Sequence, residues 1–255
     1  MTIDTFIVRA FALFAGAGLI AAQPASQPTT PPPASPVAPA APKAVTPEFH
    51  EGTQGRHDRF NEISKRGEVR LVFLGDSITQ GWEGGGKEIW ARRYEARKAA
   101  NFGVSGDRTE HVLWRLDHGN FDGLKPALIV VMIGTNNTGH RKDPAGETAA
   151  GVRAILDRLR AKCPDSKVLL LGVFPRGEKP DDPMRVLNEQ VNALIAKLAD
   201  STNIFYKDIG AKFLDDKGVL KNDLMPDFLH PNAKGYEVWA DAIEADVARL
   251  MGETK

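Results

Sequence analysis

Cysteine is almost absent: the 255-residue sequence contains one, Cys163. A lone cysteine excludes an intrachain disulfide, so an oxidising compartment is permitted but contributes nothing to stability. At the end of a helical pattern, Cys163 reads as an inert small residue. Net charge is missing too, because 33 Lys and Arg cancel 33 Asp and Glu. Nothing electrostatic then favours nucleic acid or an anionic membrane surface as a partner. Small neutral or weakly charged molecules fit better. The sequence also lacks an apolar run of the roughly 20 residues that a membrane span needs, so no stable membrane anchor is expected. It shows no internal repeat.

What is present suits one sizeable domain, with 42% hydrophobic and 26% charged residues. Residues 10–22 are thirteen consecutive apolar or small residues behind Arg9. They have the shape of a secretory signal peptide spanning 1–22, cleaved near Ala22, which places the mature protein in the periplasm or outside the cell. Residues 23–47 hold nine of the seventeen prolines among Ala, Thr and Ser. Such a stretch cannot bury enough apolar area to offset its ordering entropy and reads as a disordered spacer. The folded domain is expected over residues 48–255.

Within it, apolar runs alternate with helical patterns. Strands are predicted at 69–74, 99–102, 127–133, 167–174 and 203–207, and helices at 87–98, 109–117, 146–162, 184–199 and 232–251. The third and fourth strands are nearly continuous apolar runs, as expected where both faces are covered. Strands separated by helices imply right-handed crossovers, hence a three-layer α/β/α sandwich on a parallel sheet of about five strands. Ligand sites of such sheets lie beyond the carboxyl ends of the strands. Three polar clusters fall there: Gly75-Asp76-Ser77, Gly103-Val104-Ser105-Gly106 and Gly134-Thr135-Asn136-Asn137.

These clusters contain the parts of an acyl-transfer site. Ser77 is either a turn or helix-cap residue or a nucleophile, and a serine hydroxyl reacts at neutral pH only if an imidazole takes its proton. His230 precedes the last helix, with Asp227 three residues earlier. An Asp at that spacing on a short loop accepts the Nδ1 hydrogen while Nε2 points away, towards Ser77. The chain order Ser, Asp, His is that of α/β hydrolases. Gly103 offers a backbone N–H, Asn136 a side-chain amide and Ser77 its own N–H to a developing oxyanion. No metal or organic cofactor is needed.

The blocks Gly75-Asp76-Ser77-Ile78, Asn101-Phe102-Gly103, Gly134-Thr135-Asn136-Asn137 and Asp227-Phe228-Leu229-His230-Pro231 resemble, in order, those of the SGNH hydrolases, the GDSL family of esterases and lipases. The resemblance spans about residues 69–250. Within the family, "NFGVSGDRTEHVLWRLDHGNFDGLKPALIVVMIGTNN" and "GVFPRGEKP" look like the catalytic subunits of the intracellular platelet-activating factor acetylhydrolases, which remove short acyl groups, chiefly acetyl. The resemblance implies Ser77 as nucleophile, His230 as base, Asp227 as its orienter, and Gly103 and Asn136 as oxyanion donors. It also allows a homodimer. Two departures stand out. Those relatives are cytosolic, whereas an export signal points to an acetylated carbohydrate or another small acyl ester as substrate, and Ile78 replaces the family's Leu.

Other residues have open readings. Trp82, on the loop "QGWEGGGKE", is a candidate to line the acyl or alcohol pocket, with packing as the alternative; Trp90 and Trp114 read as packing. Residues 176–185 are either a lid or a solvated loop. His111, His118 and His140 read as surface or capping residues. Two rival functions remain: a flavodoxin-like protein cradling a phosphate on the "GDSITQG" loop, and a carbohydrate-recognition domain that kept the fold and lost activity.

Overall fold

The computed structural model describes residues 41–253. The expected signal peptide, and the expected spacer as far as residue 40, lie outside the described residues. Five parallel strands form one sheet: β1 (Leu71–Gly75), β2 (Ala99–Gly103), β3 (Leu128–Met132), β4 (Lys167–Leu171) and β5 (Ile204–Lys207). Their spatial order is β2-β1-β3-β4-β5. From β1 the chain first moves to one side, to β2, and then crosses back to β3. The crevice at the carboxyl ends of β1 and β3 is therefore the topological switch point, where such sheets bind ligands.

Helices cover both faces, as the sandwich expectation requires. Along β1, alternate residues face opposite layers. Val72 and Leu74 pack with Phe60 of α1 (Gln54–Arg66), Val112 and Leu116 of α4 (Thr109–Asp117), Ile155 of α5 (Ala145–Lys162) and Val191 of α6 (Pro183–Ile195). Leu71 and Phe73 pack with Ile78 of α2 (Ser77–Gln80), Ile89 of α3 (Lys87–Arg93), and Trp239 and Ile243 of α7 (Ala233–Leu250). β1 and β3 are buried along their whole length, which explains their unbroken apolar sequence.

Three differences from the sequence reading have local causes. Helix α1 gave no periodic signal because two of its three buried residues, His57 and Ser64, are polar, and only Phe60 is apolar. The helix predicted over 87–98 stops at Arg93, where Tyr94 turns fully into the core and a short 3-10 turn, Glu95–Arg97, follows. The docked chain also reaches into the stretch assigned to the spacer. A 3-10 turn at Lys43–Val45 buries Ala44 completely, and the Ala44 carbonyl accepts the Thr109 hydroxyl at 2.8 Å.

Among the described residues no helix is long and apolar enough to cross a membrane. Cys163 sits buried at the carboxyl cap of α5, where burial pushes its thiol up.

Candidate active site

β1 ends at Gly75, where any side chain would collide with Thr79 and the Met132 carbonyl. That glycine lets the chain turn directly from strand into α2. The helix cap is Asp76, whose Oδ1 accepts the Ile78 N–H at 3.0 Å. Ser77 is therefore relieved of capping. Its hydroxyl donates to His230 Nε2 at 2.9 Å, and His230 Nδ1 donates to Asp227 Oδ2 at 2.6 Å. Asp227 Oδ1 accepts the backbone N–H groups of Leu229 and His230, at 3.0 and 2.7 Å. Partial burial pushes the Asp227 carboxyl up, but the hydrogen bonds from the His230 ring and these two N–H groups outweigh it and hold it below the usual range. Between them Phe228 adopts a φ of 56°, a left-handed conformation unusual for an aromatic residue, which folds the acid back under its own histidine.

Of the candidate oxyanion donors, Gly103 has its N–H already engaged. Gly103 belongs to the sheet: it pairs with Gly75, and its N–H donates to Asn101 Oδ1 at 2.8 Å. A Cβ on Gly103 would strike the Gln80 backbone, so this glycine exists to let α2 lie against β2. Gly106, three residues on, is placed differently. It is part-exposed with a φ of +80°, and its N–H has no acceptor among the described residues. The preceding N–H, of Ser105, donates to Gln80 Oε1 at 2.7 Å, which ties this loop to the helix bearing Ser77. The Ser77 N–H is likewise unaccepted among the described residues. Asn136 is buried, and its Nδ2 donates one hydrogen to the Asp107 carbonyl at 2.9 Å, leaving the other available.

Two residues that sequence reasoning passed over support these loops. Arg176 donates to the Thr135 carbonyl at 2.8 Å, next to Asn136, and burial pushes its guanidinium down. Arg185 is buried and donates to the carbonyls of Arg176, Gly177, Glu178 and Gly218. Gly177 N–H in turn donates to the Phe228 carbonyl at 2.9 Å. Residues 176–185 thus brace the histidine loop; the segment is solvated as read, with residues 178–181 exposed, and its tethering argues against the lid reading. No sequence pattern signals a buried arginine whose partners are carbonyls.

Trp82 is also corrected. It is 1% exposed and stacks among Tyr236, Trp239 and Tyr94, with ring centroids 4.5, 5.0 and 5.5 Å away. The glycines beside it serve that packing, since a Cβ on Gly86 would lie 2.6 Å from the Trp82 ring. Ser77 instead opens onto a cleft of about 350 Å³ lined by Gln80, Gly81, Glu83, Gly84 and Ser105. His111 is a capping residue, as read, but a buried one: its Nδ1 accepts the Arg108 N–H at the start of α4.

Asp76 is fully buried beside Ser77. Desolvation, reinforced by the Asp107 carboxylate, pushes its pKa from 3.8 up to about 7. The folded chain therefore keeps a proton here that the unfolded chain has released, so this group's contribution to stability is complete below pH ~4 and is lost as pH rises through about 7. His111, pushed down to about 4 by burial, acts in the opposite sense over the acid part of that window. Asp76→Asn keeps the acceptor for Ile78 and removes the titration. Relative to the parent, the variant is expected to gain stability between pH 5 and pH 8 in urea-unfolding midpoints; a constant difference would refute the buried-carboxyl account.

His50, Asp107 and His111 bring three possible metal-ligand atoms within 4.8 Å of one another. Asp107 and His111 are already engaged. Arg115 Nε donates to Asp107 Oδ2 at 2.9 Å, and His111 Nδ1 takes the Arg108 N–H. With guanidinium groups on two sides, the cluster is built as a hydrogen-bond network.

Comparison with known proteins bears on the same residues. The model of the GDSL-like lipase/acylhydrolase family matches residues 73–238. The human platelet-activating factor acetylhydrolase IB subunit alpha1 is 36% identical over 198 residues, covering 77% of this chain and 83% of that protein. The rat alpha2 subunit is 36% identical over 218 residues, covering 83% and 93%. Among solved structures, an acetylxylan esterase from Geobacillus stearothermophilus superposes with a TM-score of 0.58 at 22% identity, over 73% of this chain and 95% of that one.

Proposed function

The chain belongs to the GDSL-like lipase/acylhydrolase family and is a carboxylic ester hydrolase, and on that premise we propose that it removes short acyl groups, acetyl above all, through an acyl-enzyme on Ser77. The observation that carries this reading is the unbroken relay from Ser77 Oγ to His230 Nε2 at 2.9 Å and from His230 Nδ1 to Asp227 at 2.6 Å. Ser77 Oγ attacks the ester carbonyl as its proton passes to His230, and Asp227 steadies the imidazolium. The oxyanion is held by the N–H groups of Ser77 and Gly106 and by the free amide hydrogen of Asn136. The tetrahedral species collapses, and the alcohol leaves with the proton from His230. Water then attacks the acyl-serine with the same base, releasing the acid and restoring Ser77.

The cleft supports a short acyl group, because its lining of glycine, serine, glutamine and glutamate offers no large apolar side chain to hold a long one, and the Gln80, Glu83 and Ser105 side chains leave polar groups within reach of an alcohol. The names of its relatives, acetylhydrolase and acetylxylan esterase, point the same way. An acetylated carbohydrate suits both that lining and the export expected from residues 1–22. The two binding-protein alternatives assign no role to the His230–Asp227 pair.

The acyl-enzyme is tested by mixing the protein with excess p-nitrophenyl acetate in a stopped-flow cell. A burst of p-nitrophenol equal to the enzyme concentration, followed by slower turnover, is expected. Hydrolysis is expected to slow as the acyl chain lengthens from acetyl to octanoyl. Absence of any turnover, or equal rates for all chain lengths, would sink the reading or its acetyl preference respectively.

A further inference from the structure

On this acyl-enzyme reading, the geometry points to His50 as a positioning residue of the oxyanion hole, delivered by the segment that precedes α1. That segment is docked at several points: Ala44 is buried, the Glu48 N–H donates to the Glu110 carbonyl at 3.2 Å, and the Phe49 ring lies 4.7 Å from Trp114. Next along the chain, the His50 imidazole stacks on His111, with centroids 4.4 Å apart and planes within 19°.

His50 Nδ1 lies 2.8 Å from Asp107 Oδ1. Asp107 is completely buried, and its other carboxylate oxygen is taken by Arg115. A carboxylate only accepts, so Nδ1 carries the hydrogen and Nε2 the lone pair. The Cε1–Nε2 edge of the ring then faces Gly106, since a methyl group on that residue would sit 3.1 Å from Cε1 and 3.5 Å from Nε2.

Asp107 thus joins the two outer donors of the hole. Its backbone carbonyl orients Asn136 at 2.9 Å, and Gly106, immediately before it, presents the N–H. Gly106 has no side chain to confine its left-handed φ of +80°. The restraint comes from outside, from His50 packed on its Cα and bonded to the next side chain. Donors aimed at the oxyanion act through preorganisation, and a hole whose loop wanders loses rate without losing substrate affinity.

The test compares wild type, Ser77→Ala, His50→Ala and His50→Asn on p-nitrophenyl acetate, with urea-unfolding midpoints for each. Asn places an amide donor close to where His Nδ1 stands. His50→Ala is expected to lower kcat about 10-fold, with KM within about twofold of wild type. His50→Asn is expected to recover most of that loss, even if both variants unfold at the same urea concentration. Affinity for a small boronic acid, which adds to Ser77 as a tetrahedral anion, is expected to fall in step with kcat. His50→Ala turning over within twofold of wild type would overturn the role, as would equal losses in the Ala and Asn variants or an unchanged boronate affinity. Full activity in Ser77→Ala would instead overturn the acyl-enzyme reading itself, which separates the two failures.

Discussion

Ser77→Ala is expected to lower kcat for p-nitrophenyl acetate by about 10⁴-fold or more, in steady-state kinetics on protein freed of wild-type carry-over. The expectation follows from the geometry: among the described residues no other hydroxyl bonds to His230 Nε2, and the His230 ring is fixed from behind by Asp227. His230→Ala is expected to lose a comparable factor, and the double variant little more, if nucleophile and base act as one unit. Retention of more than about one part in a hundred by Ser77→Ala would mean that another group attacks the ester.

The second large effect is at Asn136. Asn136→Ala is expected to cost about 10² to 10³-fold in kcat, or about 3 to 4 kcal/mol of transition-state stabilisation, with KM nearly unchanged. The side chain is buried and spends one hydrogen on the Asp107 carbonyl, so its second hydrogen is held in a fixed direction. Gly103 supplies an internal contrast. Its N–H is committed to Asn101, and a Gly103 substitution is therefore expected to act on folding, by pushing α2 off β2, rather than on the oxyanion. A KM effect at Asn136 with kcat preserved would contradict its placement in the hole.

Much of this architecture is legible in the sequence because the physics is local. The continuous apolar runs of β1 and β3 follow from burial on both faces, and glycines at the strand ends follow from the close turn into α2. Ser77, Asp227 and His230 are found because a mechanism requires them in company, and the structure brings them together. What escaped was decided by distant contacts. Gly103 and Gly106 stand three residues apart, and only the length of β2 tells which is in the sheet and which beyond it. Trp82 faces inward because Tyr236 and Trp239, from α7 at the far end of the chain, arrive to meet it. His50, Arg176 and Arg185 bond to carbonyls or to a buried carboxylate, partners that no residue pattern announces.

The brace built on Arg185 has a consequence for how the enzyme meets its substrate. A segment whose carbonyls are gathered on one buried guanidinium, and which is tied through Gly177 to the histidine loop, cannot swing aside without breaking those bonds together. Residues 176–185 are therefore expected not to open at an oil–water boundary, and to confer no interfacial activation of the kind that lidded lipases show. Ser77 is expected to stay open to molecules in free solution, so that the rate rises with dissolved ester alone and shows no jump at the onset of micelles.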